Sequence, residues 1–383
     1  MSLVGLGGCS AYGVAEAQIA GPAVVGPASA PEIPTPLATS VQTSQGTWAT
    51  LPMGRLDEPL NTFWQLFYRP STAMTWSNKV EATATNGGLV LATTGARLLV
   101  GVRPSVDLVF TPLISTSDGG RSWSDGLVTR ELAAHPDALA MSKGQALALV
   151  DRGTRAQVWA GTGSISRWRR LVTYLDLGDG KAGRSCGLGS LTSVGYLGAH
   201  ALVGASCGRP GVVGLFARYN RRWRLVGPTL PPAFDDARAE VLGLGLSHNV
   251  TSVLVGVTRT GGTDLLAAWS GPGATWSTSL PLPVPQNEQV ASFGAGYGKT
   301  VFAVLQGPSG RERLAVAEAE RPAWRALPSP PAGTQTVAFG PGASIDALVA
   351  TGTRFSAWSL PAGSTTWAED QVMNVPIQYG SSS

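Results

Sequence analysis

The sequence predicts an all-β chain folded as a seven-bladed β-propeller, and three observations lead there. Tryptophans recur at positions 76, 123, 168, 223, 276, 324 and 367, separated by 47, 45, 55, 53, 48 and 43 residues. The intervals hold four short β-rich runs bounded by Gly, Pro, Asn or Ser. The 383 residues combine 49 Gly and 27 Pro with 43% hydrophobic residues, which suits many short strands joined by tight turns and does not suit disorder. A period near fifty with four strands per unit is the signature of blades. Six blades with an N-terminal extension is the alternative count.

Taken in order, residues 48–51, 63–68 and 76–80 form a partial first unit. A tail strand near 375–379 is expected to complete it, because a ring closed by strands from both ends leaves no open edge. The next unit comprises residues 89–92, 98–102 and 108–116, then Trp123. The third runs through 138–141, 146–150, 158–161 and 168–174, and the fourth through 191–196, 201–205, 212–217 and 223–226. The fifth is 242–246, 252–257, 265–269 and 276–280, and two more units close on Trp324 and Trp367. Each Trp is placed at the start of the fourth strand, where its large apolar area can pack between neighbouring blades.

Ahead of the repeats, Leu6-Gly7-Gly8-Cys9-Ser10 resembles the lipobox of bacterial lipoproteins. The resemblance implies that Cys9 is lipidated and becomes the mature N-terminus. No Lys or Arg precedes Cys9, and eight residues cannot make a full apolar signal region, so residues 1–9 read as a truncated signal segment. Residues 10–45 are Ala, Gly, Pro, Ser and Thr with almost no charge, a composition expected of a disordered tether. Residues 46–383 make the propeller domain. This layout implies an extracytoplasmic protein, held at a bacterial surface or membrane by its lipid.

One turn carries a sharper signature. Thr116-Ser117-Asp118-Gly119-Gly120-Arg121-Ser122-Trp123 resembles the Asp-box, or BNR repeat, of sialidase-like propellers. Thr116, Asp118, Gly120, Ser122 and Trp123 match its five positions. The Asp118 carboxylate can accept from turn amides, Gly120 can take positive φ, and Trp123 can anchor the fourth strand. In its families the box lies on the outer rim, so the resemblance implies fold and not chemistry.

Cys186 and Cys207 stand in Ser-Cys-Gly triplets at the two ends of a predicted hairpin and are expected to form a disulfide, which fits an oxidising compartment. The triplets also match the G-x-S-x-G pattern of serine hydrolases, but that elbow needs a strand before the Ser and a helix after it, and here another strand follows. Residues 294–300 imitate a phosphate-binding loop, yet Phe293 stands where its first Gly is required, so a hairpin turn is expected. His135, His200 and His248 fall in different blades without metal-ligand spacing, and Asp235-Asp236 reads as a solvated loop. No metal or other cofactor is expected. Arg167-Trp168-Arg169-Arg170 and Arg218-Tyr219-Asn220-Arg221-Arg222-Trp223-Arg224 occupy equivalent positions in consecutive blades. Arg167, Arg169, Arg170, Arg221, Arg222 and Arg224 therefore make a candidate anion-binding rim.

Charged residues are 14% of the chain and the net charge is +4, which gives no push toward nucleic acid. The first functional expectation is a non-catalytic, lipid-anchored propeller. It would be monomeric and would bind a protein or envelope component, an assembly factor being one form. The alternative is a sialidase-like exo-glycosidase. Those enzymes carry an early Arg-Ile-Pro motif, for which Tyr68-Arg69-Pro70 is the nearest match, and no Glu can be nominated as nucleophile partner. A channel lined by Gly, Ala and Val would favour binding. Three Arg and a carboxylate there would favour the enzyme.

Overall fold

The computed structural model describes residues 40–54, 62–85, 88–102, 113–124, 136–162, 167–247, 250–271, 275–295 and 299–375. They belong to a compact unit spanning Ile33–Ser383, and the other unit, Met1–Glu32, lies outside them. Cys9 and most of the expected tether therefore fall outside the described residues, as do His135 and His248.

The described chain is all-β except for two short helices and isolated helical turns. Its first group is β1 (Ser40–Thr43), β2 (Gly46–Gly54), β3 (Thr62–Pro70) and β4 (Ser77–Thr85), paired in that order. The second is β5 (Leu89–Thr94), β6 (Arg97–Val102) and β7 (Leu113–Thr116). The third is β8 (Ala138–Ser142), β9 (Gln145–Val150), β10 (Gln157–Thr162) and β11 (Arg167–Thr173). Helices α1 (Tyr174–Asp179) and α2 (Lys181–Cys186) follow. The fourth group is β12 (Leu188–Leu197), β13 (His200–Cys207), β14 (Gly214–Tyr219) and β15 (Arg222–Leu225). The fifth is β16 (Arg238–Ser247), β17 (Val250–Arg259), β18 (Gly262–Ser270) and β19 (Trp276–Thr278), with β20 (Leu282–Val284) also on β18. A single pair, Ser206↔Glu240, joins these two groups into a nine-stranded sheet. The sixth is β21 (Gln289–Ala295), β22 (Thr300–Gln306), β23 (Glu312–Glu318) and β24 (Arg321–Leu327). The last is β25 (Thr334–Phe339), β26 (Ile345–Thr351), β27 (Arg354–Leu360) and β28 (Ala368–Asn374).

Successive strands within every group pair antiparallel, as short connections require. The first strands of successive groups touch in the order β1, β5, β8, β12, β16, β21, β25, and β25 touches β1 again. That cycle makes a ring. Between each pair of neighbours lies one apolar core. Trp48, Leu66 and Tyr68 meet Leu89, Leu91 and Leu98 in one of them, and Phe67 and Met53 meet Leu348 and Phe355 in another.

The repeating tryptophans mark the outermost strands. Trp168, Trp223 and Trp324 lie within β11, β15 and β24; Trp276 opens β19; Trp76 and Trp367 immediately precede β4 and β28. Ser124, next to Trp123, donates its amide to Ser115 O at 2.8 Å and so takes the same place beside β7. Several indoles bond backward to the preceding group: Trp276 Nε1 to Val226 O at 2.6 Å, Trp324 Nε1 to Ser279 Oγ at 3.1 Å, and Trp367 Nε1 to Pro328 O at 3.2 Å. Trp76 Nε1 donates to Asp346 Oδ2 at 3.2 Å across the join of the two chain ends. A buried indole needs an acceptor, and the neighbouring group supplies it.

Two expectations require correction. The first group takes its inner strand from Ser40–Thr43, inside the stretch read as tether, and not from a tail strand. Val375 instead ends the last group, buried in its core and donating to Thr353 O at 2.8 Å, and residues 376–379 lie outside the described residues. Helices α1 and α2 were not expected in an all-β chain. A capping box starts α1, with Asp176 N donating to Thr173 Oγ1 at 3.0 Å and Thr173 N to Asp176 Oδ2 at 3.1 Å. Gly187, at φ +64°, ends α2 in the left-handed conformation that glycine tolerates best.

Candidate functional site

A cavity of about 920 Å³ runs along the ring's inner strands and is lined by residues 40–44, 91–95, 139–143, 194–195, 244–246, 293–295 and 340–343, among others. Small residues follow from the convergence of those strands. A Cβ added at Gly245 would sit 2.2 Å from the Ala295 Cβ, closer than packed atoms allow. Among the described residues the lining is neutral but for Lys143, an exposed residue in the tight β8–β9 turn. It is a channel of backbone, hydroxyls and small apolar groups.

Arg69, the nearest match to the glycosidase arginine, does not reach that lining. Its side chain is 1% exposed and forms an ion pair with Asp346, also 1% exposed, at 2.5 Å. Its guanidinium lies 5.2 Å from the Trp76 ring centroid. Burial pushes the Asp346 carboxyl up to about 7, against the opposing pull of Arg69. Arg69 stands on β3 and Asp346 on β26, so the pair joins the first and last groups. Around it, Thr47 Oγ1 donates to Phe339 O at 2.8 Å and Thr336 Oγ1 to Thr50 O at 2.6 Å, and Phe67 stacks on Phe355 at 4.5 Å. This arginine closes the ring.

The rim arginines are exposed, but strand alternation divides them. On β11, Trp168 packs into the core shared with the second group, while Leu171 packs into the core shared with the fourth. Arg169 pairs with Ala160, which packs in the core shared with the fourth group, and Arg167 shares its parity, so both face the fourth group, while a bulge at Leu171 breaks the alternation beyond them. On β15, Trp223 and Leu225 pack toward the third group, which turns Arg222 and Arg224 to the opposite face. There Arg224 lies over Tyr219 at 5.5 Å, and His200 packs on the same ring at 4.1 Å. Arg170 acts on Asp176. The six arginines expected to make one rim therefore do not. Arg218 was outside that set. It shares parity with Phe216, which packs in the core between third and fourth groups, so Arg218 points at Arg169's strand. Burial lowers its basicity first, and the charges of Arg169 and Arg221 lower it further.

The turn after β7 is organised by Asp118. Its Oδ1 accepts from the amides of Arg121 and Ser122 at 3.0 Å each, and its Oδ2 from Ser122 Oγ at 2.6 Å. Gly120, at φ +77°, donates to Thr116 Oγ1 at 3.0 Å. Hydrogen bonds from the Ser122 hydroxyl and amide lead the effects that hold the Asp118 carboxyl far below the ordinary carboxylate range. Trp123 then meets Trp48 edge-on at 6.0 Å. The carboxylate is spent on the turn, and Asp118 is half-buried.

Cys186 and Cys207 form a disulfide with Cα atoms 5.2 Å apart, tying the end of α2 to the end of β13. Ser185, in one G-x-S-x-G match, is helical and donates to Ala182 O at 2.7 Å; Ser206, in the other, lies on β13 with its hydroxyl 2.8 Å from Ser190 Oγ. Neither hydroxyl has a base beside it in these contacts. Of the phosphate-loop imitation, residues 294–295 and 300 lie on β21 and β22, which pair antiparallel from Gln289↔Gln306 to Ala295↔Val301, and residues 296–298 lie outside the described residues. Asp235 and Asp236 are exposed beside a helical turn. Among the described residues no three His, Cys, Asp or Glu side chains gather as a metal site, and no helix is long and apolar enough to cross a membrane.

No protein-family model and no curated protein match the chain. Solved structures do. A candidate 6-phosphogluconolactonase from Bacteroides uniformis superposes with a TM-score of 0.54 at 10% identity, covering 87% of this chain and 97% of that one. The periplasmic gluconolactonase PpgL of Pseudomonas aeruginosa gives 0.54 at 11% identity over 86% and 96%. A Lactobacillus plantarum protein gives 0.54 at 11% over 87% and 97%. At such identities the likeness is one of fold: the chain is all-β and propeller-like.

Proposed function

We propose that the chain is a seven-bladed, extracytoplasmic propeller that binds a protein or envelope component and catalyses no reaction. The neutral lining of the central cavity carries this reading. A glycosidase of the sialidase type needs arginines and carboxylates there. Hydrolysis of an acyl or glycosyl bond generally draws on a positioned acid, base or metal, and the lining's charge is confined to Lys143 at a turn. The closed cycle of first strands, from β1 through β25 and back, supports seven blades over six.

The Asp118 turn supports a place among Asp-box propellers, since its carboxylate, hydroxyls and Gly120 make the bonds that the motif's chemistry asks for. The Cys186–Cys207 disulfide supports an oxidising compartment. Lipidation at Cys9 would hold the propeller at a membrane.

The purified chain is expected to hydrolyse 6-phosphogluconolactone, gluconolactone and an aryl sialoside no faster than buffer does. Turnover of any of them that disappears on heat inactivation would refute the non-catalytic reading. Metabolic labelling with an alkyne fatty acid in a bacterial host that expresses the gene is expected to mark the wild type and not Cys9→Ser.

A further inference from the structure

The crevice between the third and fourth groups gathers positive charge that nothing balances. Arg169 enters it from β11 and Arg218 from β14: Arg169 pairs with Ala160, and Arg218 shares the parity of Phe216, both of which pack in the core between these two groups. Arg221 stands in the β14–β15 turn, where Asn220 and Arg221 both take positive φ, +47° and +67°. None of the three forms an ion pair among the described residues, whereas Arg69 pairs with Asp346, Arg259 with Asp264 and Arg313 with Glu288. The Arg218 Nε is buried without a hydrogen-bond partner. Nearby Asp176 is engaged in the cap of α1 and feels Arg170.

A half-buried guanidinium without an acceptor loses hydration and gains nothing in return. Burial lowers the basicity of Arg218, and the neighbouring charges of Arg169 and Arg221 act in the same direction. A carboxylate would take one guanidinium fork and leave two charges unmet. A phosphoryl group carries up to about two negative charges and three acceptor oxygens, so it can serve three forks at once.

We infer that the crevice between β11 and β14 binds a phosphate group, held by Arg169, Arg218 and Arg221, on a phosphorylated envelope component. The inference deepens the binding role proposed above, and rests on it only for the nature of the larger ligand. Phosphate chemistry of this kind is offered both by lipid headgroups and by soluble phosphorylated molecules.

Calorimetric titration of the full chain with pyrophosphate tests the site. Wild type is expected to bind saturably at one site. Arg169→Ser with Arg221→Ser, both exposed positions, is expected to weaken binding at least about tenfold with an unchanged thermal melt. Arg222→Ser with Arg224→Ser, on the opposite face, is expected to leave it unchanged. Equal weakening in both double variants would reduce the effect to diffuse surface charge and overturn the site, as would absence of binding in the wild type. Flotation with vesicles of phosphatidic acid in phosphatidylcholine separates the sources. Co-flotation that the first double variant loses assigns a lipid headgroup; pyrophosphate binding without flotation assigns a soluble ligand. Lactone hydrolysis would overturn the reading of the channel and leave this crevice intact, so the two failures are distinguishable.

Discussion

The join between the first and last groups and the crevice between the third and fourth both hold an arginine pointed at a neighbouring group, and they treat it in opposite ways. At the join, Arg69 is 1% exposed, faces the Asp346 carboxylate and lies under an indole, among side chains that bond across the boundary. In the crevice, Arg218 is half-buried, feels two more cations and has no carboxylate paired with it among the described residues. A charge that is paired and desolvated holds structure together. A charge that is desolvated and unpaired costs stability until something pairs with it.

The largest expected effect lies at the join. Arg69→Met leaves the Asp346 carboxylate buried alone and is expected to cost about 3–5 kcal/mol in urea unfolding, with Arg69→Met/Asp346→Leu recovering most of it. Arg218→Met in the crevice is expected to leave stability unchanged or raise it, because it removes a cost and no partner. A loss at Arg218 as large as that at Arg69 would break the contrast.

Next in size is the disulfide that pins α2 beside the crevice. Cys186→Ser with Cys207→Ser, or reduction by dithiothreitol, is expected to lower stability by roughly 3 kcal/mol, the contribution of closing a loop of this length.

Glu312 is the acidic counterpart of Arg218, with one carboxyl oxygen buried and unpartnered, and burial raises its pKa to about 7. Because the folded value exceeds the unfolded one, the folded state holds the proton more tightly, and the group erodes stability as pH rises from about 4 toward 7. Glu312→Gln is therefore expected to raise the melting temperature at pH 8, less at pH 5, and not at all near pH 4. Asp118 runs the other way and gives the smallest effect. Its folded pKa is depressed by the turn's hydrogen bonds. Its contribution is thus full above about pH 4 and is lost as pH falls through the folded value. Asp118→Ala is expected to lower the melting temperature slightly at pH 7 and progressively less on strong acidification.

What the sequence made legible was the repeat. Trp76, Trp123, Trp168, Trp223, Trp276, Trp324 and Trp367 each stand at or in an outermost strand, because a large apolar ring bordered by turn residues has few other places in such a unit. The inner strand Ser40–Thr43 was not legible. Ser-Val-Gln-Thr carries one apolar residue and follows a Pro-rich stretch, and its hold on the ring comes from Ser40 Oγ donating to Val337 O at 2.9 Å, a contact made through tertiary structure. Helices α1 and α2 hid behind Gly178, Gly180 and Gly183, although Thr173 and Asp176 have the spacing of a capping box. Arg69 looked like a degenerate catalytic arginine because its partner is far along the chain. The crevice was half legible. Arg169 and Arg221 were marked as basic, but Arg218's direction depends on which face of β14 buries Phe216, and a one-residue change of register reverses that.

The ring closes where the first and last groups meet, and Arg69 with Asp346 is the buried ion pair at that join. The most direct measurement is a double-mutant cycle at those positions, Arg69→Met, Asp346→Leu and both together, read by urea unfolding. A closed ring gives a coupling energy of about 2 kcal/mol or more. Additivity within about 0.5 kcal/mol would mean that the pair does not form and the ring is not closed in this way.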